Sequence, residues 1–181
     1  MIHITDSIPL GRRALITTAL FLSPVLGACG SDEPDAVAGP IDVTAIDYSF
    51  VDVPTKAQAG ATLTLQNDSE KEVHEVVAIR LPDDEERSVE ELVQLPPDQL
   101  AAFFPLVETV LVAPPGEAGF AVEGTGVLAT PGRYALICVI PTGADPQEYL
   151  TAAAAAEGGP PDVAGGPPHI VEGMFAELVV E

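Results

Sequence analysis

Short runs of β-branched and apolar residues, each cut off by proline, glycine or a polar cluster, recur along most of this chain and leave it little freedom of fold class. Ile41 to Phe50, Thr62 to Asn67 and Val73 to Leu81 are three such runs, separated by Pro54, the Ala59-Gly60 turn and the polar stretch Asp68 to Glu72. Runs of this length between breakers are strands. In the second, Leu63 and Leu65 alternate with Thr62, Thr64 and Gln66. Successive side chains of a strand point to opposite sides, so this is the pattern of a sheet with one wet face. In the third run apolar residues occupy both parities, which predicts a strand covered on both faces. Further strands are expected near Val107 to Val112, Gly119 to Val122, Arg133 to Ile140 behind the Pro131-Gly132 turn, and Met174 to Val180. Helices interrupt them. Ser88 and Glu91 have the spacing of a capping box, in which a hydroxyl and a carboxylate satisfy free amides at a helix start. A helical turn is expected at Gln99 to Phe104, ended by Pro105, and a short helix at Pro146 to Glu157 with its five alanines. The pattern implies an all-β sandwich with short helical insertions.

With 181 residues the chain is long enough for one modest core. Its 28 acids against 7 Lys and Arg give a formal charge of -21, which repels a phosphate backbone and excludes nucleic-acid binding. Arg12 and Arg13 precede the apolar run Ala14 to Leu22, too short to be a permanent membrane span, and the run closes with Leu26-Gly27-Ala28-Cys29. That tetrapeptide resembles a bacterial lipobox, which implies that Cys29 becomes acylated and anchors the chain to a membrane. The expected organisation is a lipoprotein signal peptide at 1–28, a flexible acidic tether at 29–40 and one domain at 41–181, on the outer face of the cytoplasmic membrane or in the periplasm.

The scarce residues carry the chemistry. Beyond residue 28 there are two histidines, His74 and His169, one methionine, Met174, and one cysteine besides Cys29, Cys138. Alone, each has a plain reading: a satisfied histidine, a core-filling thioether, a small buried hydrophobe. A lone thiol outside the cytoplasm, however, oxidises unless it is buried or metal-bound. Taken together, one thiolate, two imidazoles and one thioether are the ligand list of a type-1 copper site, because soft sulfur favours Cu(I) while imidazole suits either oxidation state. Alternation along Arg133 to Ile140 places Tyr134, Leu136 and Cys138 on one face, and His169 and Met174 flank a tight segment containing Gly173. With both histidines so used, no general base remains, and no enzyme activity is expected.

The segments that hold these residues resemble the cupredoxins, the plastocyanin and azurin family. IDVTAIDYSFVDVPTKAQAGATLTLQNDSEKEVHEVV is similar to that family's pattern of aromatic strand end, Pro, Ala-Gly turn, apolar strand, Asn and first-ligand His. TPGRYALICVIP is similar to its Pro-Gly, Tyr, Cys strand, and PPHIVEGMFAELVV to its His, Gly-Met and terminal strand. Residues 82–114 carry no such likeness. The resemblance implies a Greek-key β-sandwich of cupredoxin type and one type-1 copper ion, with His74, Cys138 and His169 in a trigonal plane and Met174 as a long axial ligand. It also implies a monomeric carrier of single electrons with an apolar docking rim at Pro167, Pro168 and Ile170. A copper storage or delivery protein and a metal-free interaction module are the alternatives. The acidic charge points to a basic redox partner such as a cytochrome. Two features depart from the family. His169 lies 31 positions after Cys138, where the family has a few, and Glu75 follows the first His where the family often has Asn. Lengthening a loop costs only ~0.6 kcal/mol per doubling, so the site survives if the two ends of the excursion stay adjacent.

Overall fold

The computed structural model describes residues 35–156 and 159–181; the expected signal peptide and Cys29 lie outside the described residues. In chain order the elements are β1 (Ile41–Ile46), β2 (Ser49–Val51), β3 (Lys56–Ala57), β4 (Ala61–Asn67), β5 (His74–Arg80), α1 (Val89–Leu92), α2 (Pro97–Leu100), a 3-10 turn at Ala101–Leu106, β6 (Val107–Ala113), β7 (Phe120–Glu123), β8 (Val127–Leu128), β9 (Gly132–Ile137), α3 (Pro146–Ala155), a second 3-10 turn at His169–Glu172, and β10 (Phe175–Val180). They form two sheets, one ordered β2-β1-β4-β8 and the other β3-β10-β9-β5-β6-β7. In the larger sheet β5, β6 and β7 are consecutive antiparallel neighbours, and β9 returns through the other sheet to lie beside β5. That spatial order, fourth strand beside the first of three, is a Greek key.

The alternation expected in Thr62 to Asn67 is observed: Ala61, Leu63, Leu65 and Asn67 of β4 are buried and the residues between them exposed. Every residue of β5 from His74 to Ile79 is buried, as the double-parity pattern implied. One face of β5 meets the sandwich core and the other lies beneath the Ala101–Leu106 turn and α3. The capping box at Ser88 is formed, with Ser88 Oγ accepting from the Glu91 amide at 3.2 Å and Glu91 accepting from the Ser88 amide at 2.8 Å.

Other expectations shift. The run from Ile41 to Phe50 divides into a hairpin, because Asp47 adopts φ 41 and reverses the chain so that Ile46 pairs with Ser49. Pro105 does not end the helical turn but sits inside it, where a 3-10 segment continues to Leu106. β3 and β8, two residues each, are too short to leave a periodic signature. Val37, within the stretch expected to be tether, bridges to Ala57, its amide donating to the Lys56 carbonyl at 3.1 Å. Gly124 turns the chain from β7 to β8 at φ 67, where a Cβ would stand 2.3 Å from the Glu108 carbonyl oxygen; glycine is the residue that this close approach admits.

Candidate metal centre

The four expected ligands come from three backbone segments, each held by hydrogen bonds at the site. Asn67, buried at the end of β4, donates from Nδ2 to the carbonyls of Glu72 at 2.8 Å and Ala113 at 3.0 Å, and its Oδ1 accepts from the Ser69 amide at 2.8 Å. These bonds fix the polar stretch Asp68 to Glu72 and set the position of His74, the first residue of β5. Cys138 stands one residue past the end of β9. There the main chain leaves the ladder: the Cys138 amide donates to the Met174 carbonyl at 3.1 Å, and the Val139 amide to Glu75 Oε1 at 3.1 Å. His169 opens the second 3-10 turn, its amide donating to the Ile140 carbonyl at 2.9 Å. Gly173, at φ 109, then reverses the chain so that the Met174 amide reaches the His169 carbonyl at 3.1 Å.

The long excursion between Cys138 and His169 is closed at its base. Pro141 bridges to Pro168, and both the Thr142 amide, at 3.0 Å, and the Thr142 hydroxyl, at 2.7 Å, donate to the Pro167 carbonyl. The insertion therefore leaves its two ends where a short loop would leave them. Its helix, α3, is started by Asp145, whose side chain accepts from the Glu148 amide at 2.9 Å. α3 packs back over β5, and Tyr149, its one buried residue, donates its hydroxyl to Glu75 Oε2 at 2.6 Å.

His74, Cys138 and His169 come together. One ligand atom from each lies within 4.8 Å of the other two, with 3.2 Å between the two imidazole Nδ1 atoms and 3.3 Å between Cys138 Sγ and His169 Nδ1. All three side chains and Met174 are fully buried. Burial, with a further push from neighbouring His169, lowers the pKa of His74 to about 3, so this imidazole is neutral with a free lone pair. Burial likewise lowers His169, against an upward pull from Glu72. Burial drives the Cys138 thiol well above its ordinary value, and the Glu75 charge adds to this. Without a metal the thiol is protonated and inert.

The hydrogen-bond accounting shows what such a pocket lacks. His74 Nε2 and His169 Nε2 are buried without a hydrogen-bond partner, and the ring nitrogens that do have contacts face only each other and a thiol. Two neutral imidazoles carry one proton each and leave two lone pairs. A buried polar cluster satisfied only by itself is costly, whereas a cation at the convergence of Nδ1, Nδ1 and Sγ uses every lone pair there. The residues fit a metal ion of the kind that takes nitrogen and thiolate ligands.

Several residues around the site were invisible to pattern reading. Glu75 stood out as a departure, yet no sequence signal links it to Tyr149, 74 positions away. Glu72 and Tyr48 close over His169: the Tyr48 ring meets the imidazole edge-on, centroids 5.0 Å apart. On the expected apolar rim Ile170 is buried, and its neighbour Val171 takes the outward position at 66% exposure, because the tight 3-10 turn rotates Ile170 inward. A cavity of about 690 Å³ on the outer face of the larger sheet is lined by Glu75, Val77, Phe104, Val110 and Tyr149, and none of the three clustered residues reaches it.

The sandwich and its buried His-Cys-His cluster are thus the architecture that the cupredoxin resemblance implied, a two-sheet Greek key carrying a candidate metal centre at one end of β5 and β9. No protein-family model matches the sequence, and no curated protein matches it. Among solved structures the chain is similar to sodium-dithionite-reduced auracyanin from the photosynthetic bacterium Roseiflexus castenholzii, at 17% identity and TM-score 0.46, covering 81% of this chain and 99% of that one. It is similar to auracyanin B at 20% identity and TM-score 0.41, with 81% and 91% covered. It is also similar to auracyanin A, a "blue" copper protein of the green thermophilic photosynthetic bacterium Chloroflexus aurantiacus, at 18% identity and TM-score 0.40, with 78% and 98% covered.

Proposed function

We propose that this chain is an exported carrier of single electrons that holds one type-1 copper ion through His74, Cys138, His169 and Met174. The observation that supports this reading is the approach of two imidazole Nδ1 atoms to 3.2 Å, and of a thiol Sγ to 3.3 Å from one of them, in a fully buried pocket. Two neutral imidazoles and a thiol are soft enough for Cu(I) and nitrogen-rich enough for Cu(II). When bound, copper would supply a one-electron couple; the chain supplies the cage. His74 and His169 offer their Nδ1 lone pairs without losing a proton, whereas Cys138 must release its thiol proton as the metal enters. The Cys138, His169 and Met174 backbones are cross-bonded, and Asn67 pins the approach to His74, so the donor atoms are held in place before any ligand arrives. A storage or delivery protein needs ligands that a second protein can reach. Here all four residues are 0% exposed, which favours retention of the ion.

In this reading a lipid on Cys29 holds the domain at the outer face of the cytoplasmic membrane, and the domain acts as a monomer. Beyond residue 28 the chain carries 27 acids against 5 bases, a net of -22, which favours a basic redox partner such as a cytochrome. Val171 on the turn that carries His169, with exposed Pro167, offers that partner an apolar contact over the site.

The test is an absorption spectrum of the full chain titrated with Cu(II). An intense band toward the red end is expected, arising from the Cys138 thiolate, and Cys138→Ser should lose it while the apolar core keeps the domain folded. Copper uptake without that band, or a band that survives in Cys138→Ser, would refute the assignment.

A further inference from the structure

The two histidines of the centre are not equivalent in what stands behind them. His74 Nε2 has no polar atom to turn to, whereas Glu72 Oε2 lies 3.4 Å from His169 Nε2, close though not aligned as a hydrogen bond. Glu72 is itself held from several directions, through its carboxylate and its main chain. Its Oε1 accepts from the Tyr48 hydroxyl at 3.4 Å, its Oε2 from the Gly143 amide at 3.0 Å, its own amide donates to Ser69 Oγ at 3.1 Å, and its carbonyl accepts from Asn67 Nδ2 at 2.8 Å. One carboxylate thus joins the loop before β5, the β1–β2 hairpin, the base of the insertion and the second imidazole.

We propose that Glu72 is a positioning residue for His169: its carboxylate keeps the imidazole proton on Nε2, so that Nδ1 faces the metal, and its charge favours the oxidised ion. The proposal rests on the copper reading above. A carboxylate beside the distal nitrogen of a ligating histidine fixes the tautomer and ring orientation and makes the ligand more basic. A more basic ligand next to a fixed negative charge holds Cu(II) more tightly relative to Cu(I). Because the carboxylate is anchored by Gly143 and Tyr48 and is only 17% exposed, solvent weakens that charge less than it would at an open surface. The same arrangement covers His169, since Glu72 lies beside Nε2 and the Tyr48 ring packs edge-on against the imidazole.

Two measurements test this on the full chain. The first uses the metal-free wild-type protein and ¹⁵N NMR of its imidazoles: His169 should be the Nε2–H tautomer, and Glu72→Ala should release it to a mixture. The second uses the copper-loaded protein. Glu72→Gln keeps the size and the acceptor but removes the charge, and should lower the affinity for Cu(II) relative to Cu(I) by about tenfold, read as a rise in midpoint potential of about 59 mV. A wild-type His169 protonated on Nδ1, or a Glu72→Gln potential within a twofold affinity change of wild type, overturns the proposal. The wild-type NMR measurement needs neither copper nor a variant. If the chain gave no thiolate band with Cu(II), the copper reading would fail while the Glu72–His169 pairing remained separately decided.

Discussion

Tyr149→Phe isolates one bond that ties the insertion to the candidate metal centre. The Tyr149 hydroxyl donates to Glu75 Oε2 at 2.6 Å between two buried side chains, and the other oxygen of the same carboxyl accepts from the amide next to Cys138. Phenylalanine keeps the ring that α3 buries and deletes only the hydroxyl. A hydrogen bond to a charged group contributes about 1.5–3 kcal/mol, and here the acceptor left behind is buried and already disfavoured as an ion, with its pKa pushed up to about 7 by desolvation. The expected loss of stability is therefore about 2–3 kcal/mol at pH 8, which for a domain of this size lowers Tm by roughly 4–12 °C. Urea unfolding of the metal-free chain, followed by far-UV circular dichroism, should show an earlier midpoint at an unchanged slope. In a Glu75→Gln background the acceptor is neutral and the same change should cost only about 0.5–1.5 kcal/mol, so the double-mutant cycle should show a coupling of about 0.5–2.5 kcal/mol. A loss below about 0.5 kcal/mol in the single variant, or no coupling in the cycle, would mean that α3 is held by ring packing alone and that the Glu75 bond is incidental.

Three further outcomes are expected. Arg87 grips Glu85 through Nε at 2.8 Å and Nη2 at 2.6 Å, and this hydrogen bonding holds the Glu85 carboxyl down to about 2. A depressed carboxylate contributes stability above its unfolded pKa that is lost as pH falls toward the folded one, so the contribution should fade between the ordinary carboxylate range and about pH 2. Arg87→Ala should return Glu85 toward that ordinary range in an NMR titration, and a Glu85 still titrating near 2 would assign the depression to Arg133 instead. Cys29→Ala should move the protein from the membrane fraction to the soluble fraction or leave an unprocessed precursor, whereas soluble wild-type protein with an unmodified Cys29 would contradict the anchor. Electron exchange between the copper-loaded chain and a basic cytochrome should slow as salt shortens the screening length from about 10 Å at 0.1 M to about 3 Å at 1 M, and a rate flat with ionic strength would leave the acids as a solubilising coat.

What the sequence determined by itself is local or compositional. Alternation in Thr62 to Asn67 and double parity in Val73 to Leu81 announced their strands and faces, because a strand's side-chain period is a property of a few consecutive residues. The Ser88 capping box was legible for the same reason. The ligand candidates could be named because they are scarce: beyond residue 28, one thiol besides Cys29, two imidazoles and one thioether leave few sets to choose from. Only the tertiary structure decided how these pieces meet. The β9-β5-β6-β7 order, the Pro141 to Pro168 closure that keeps His169 beside Cys138, and the meeting of Glu75 with Tyr149 and of Glu72 with His169 all join residues tens of positions apart. No periodicity encodes such pairings. They follow from which faces must be buried together and from the demand that every buried polar group find a partner, conditions imposed by the packed chain as a whole rather than by any short stretch of it.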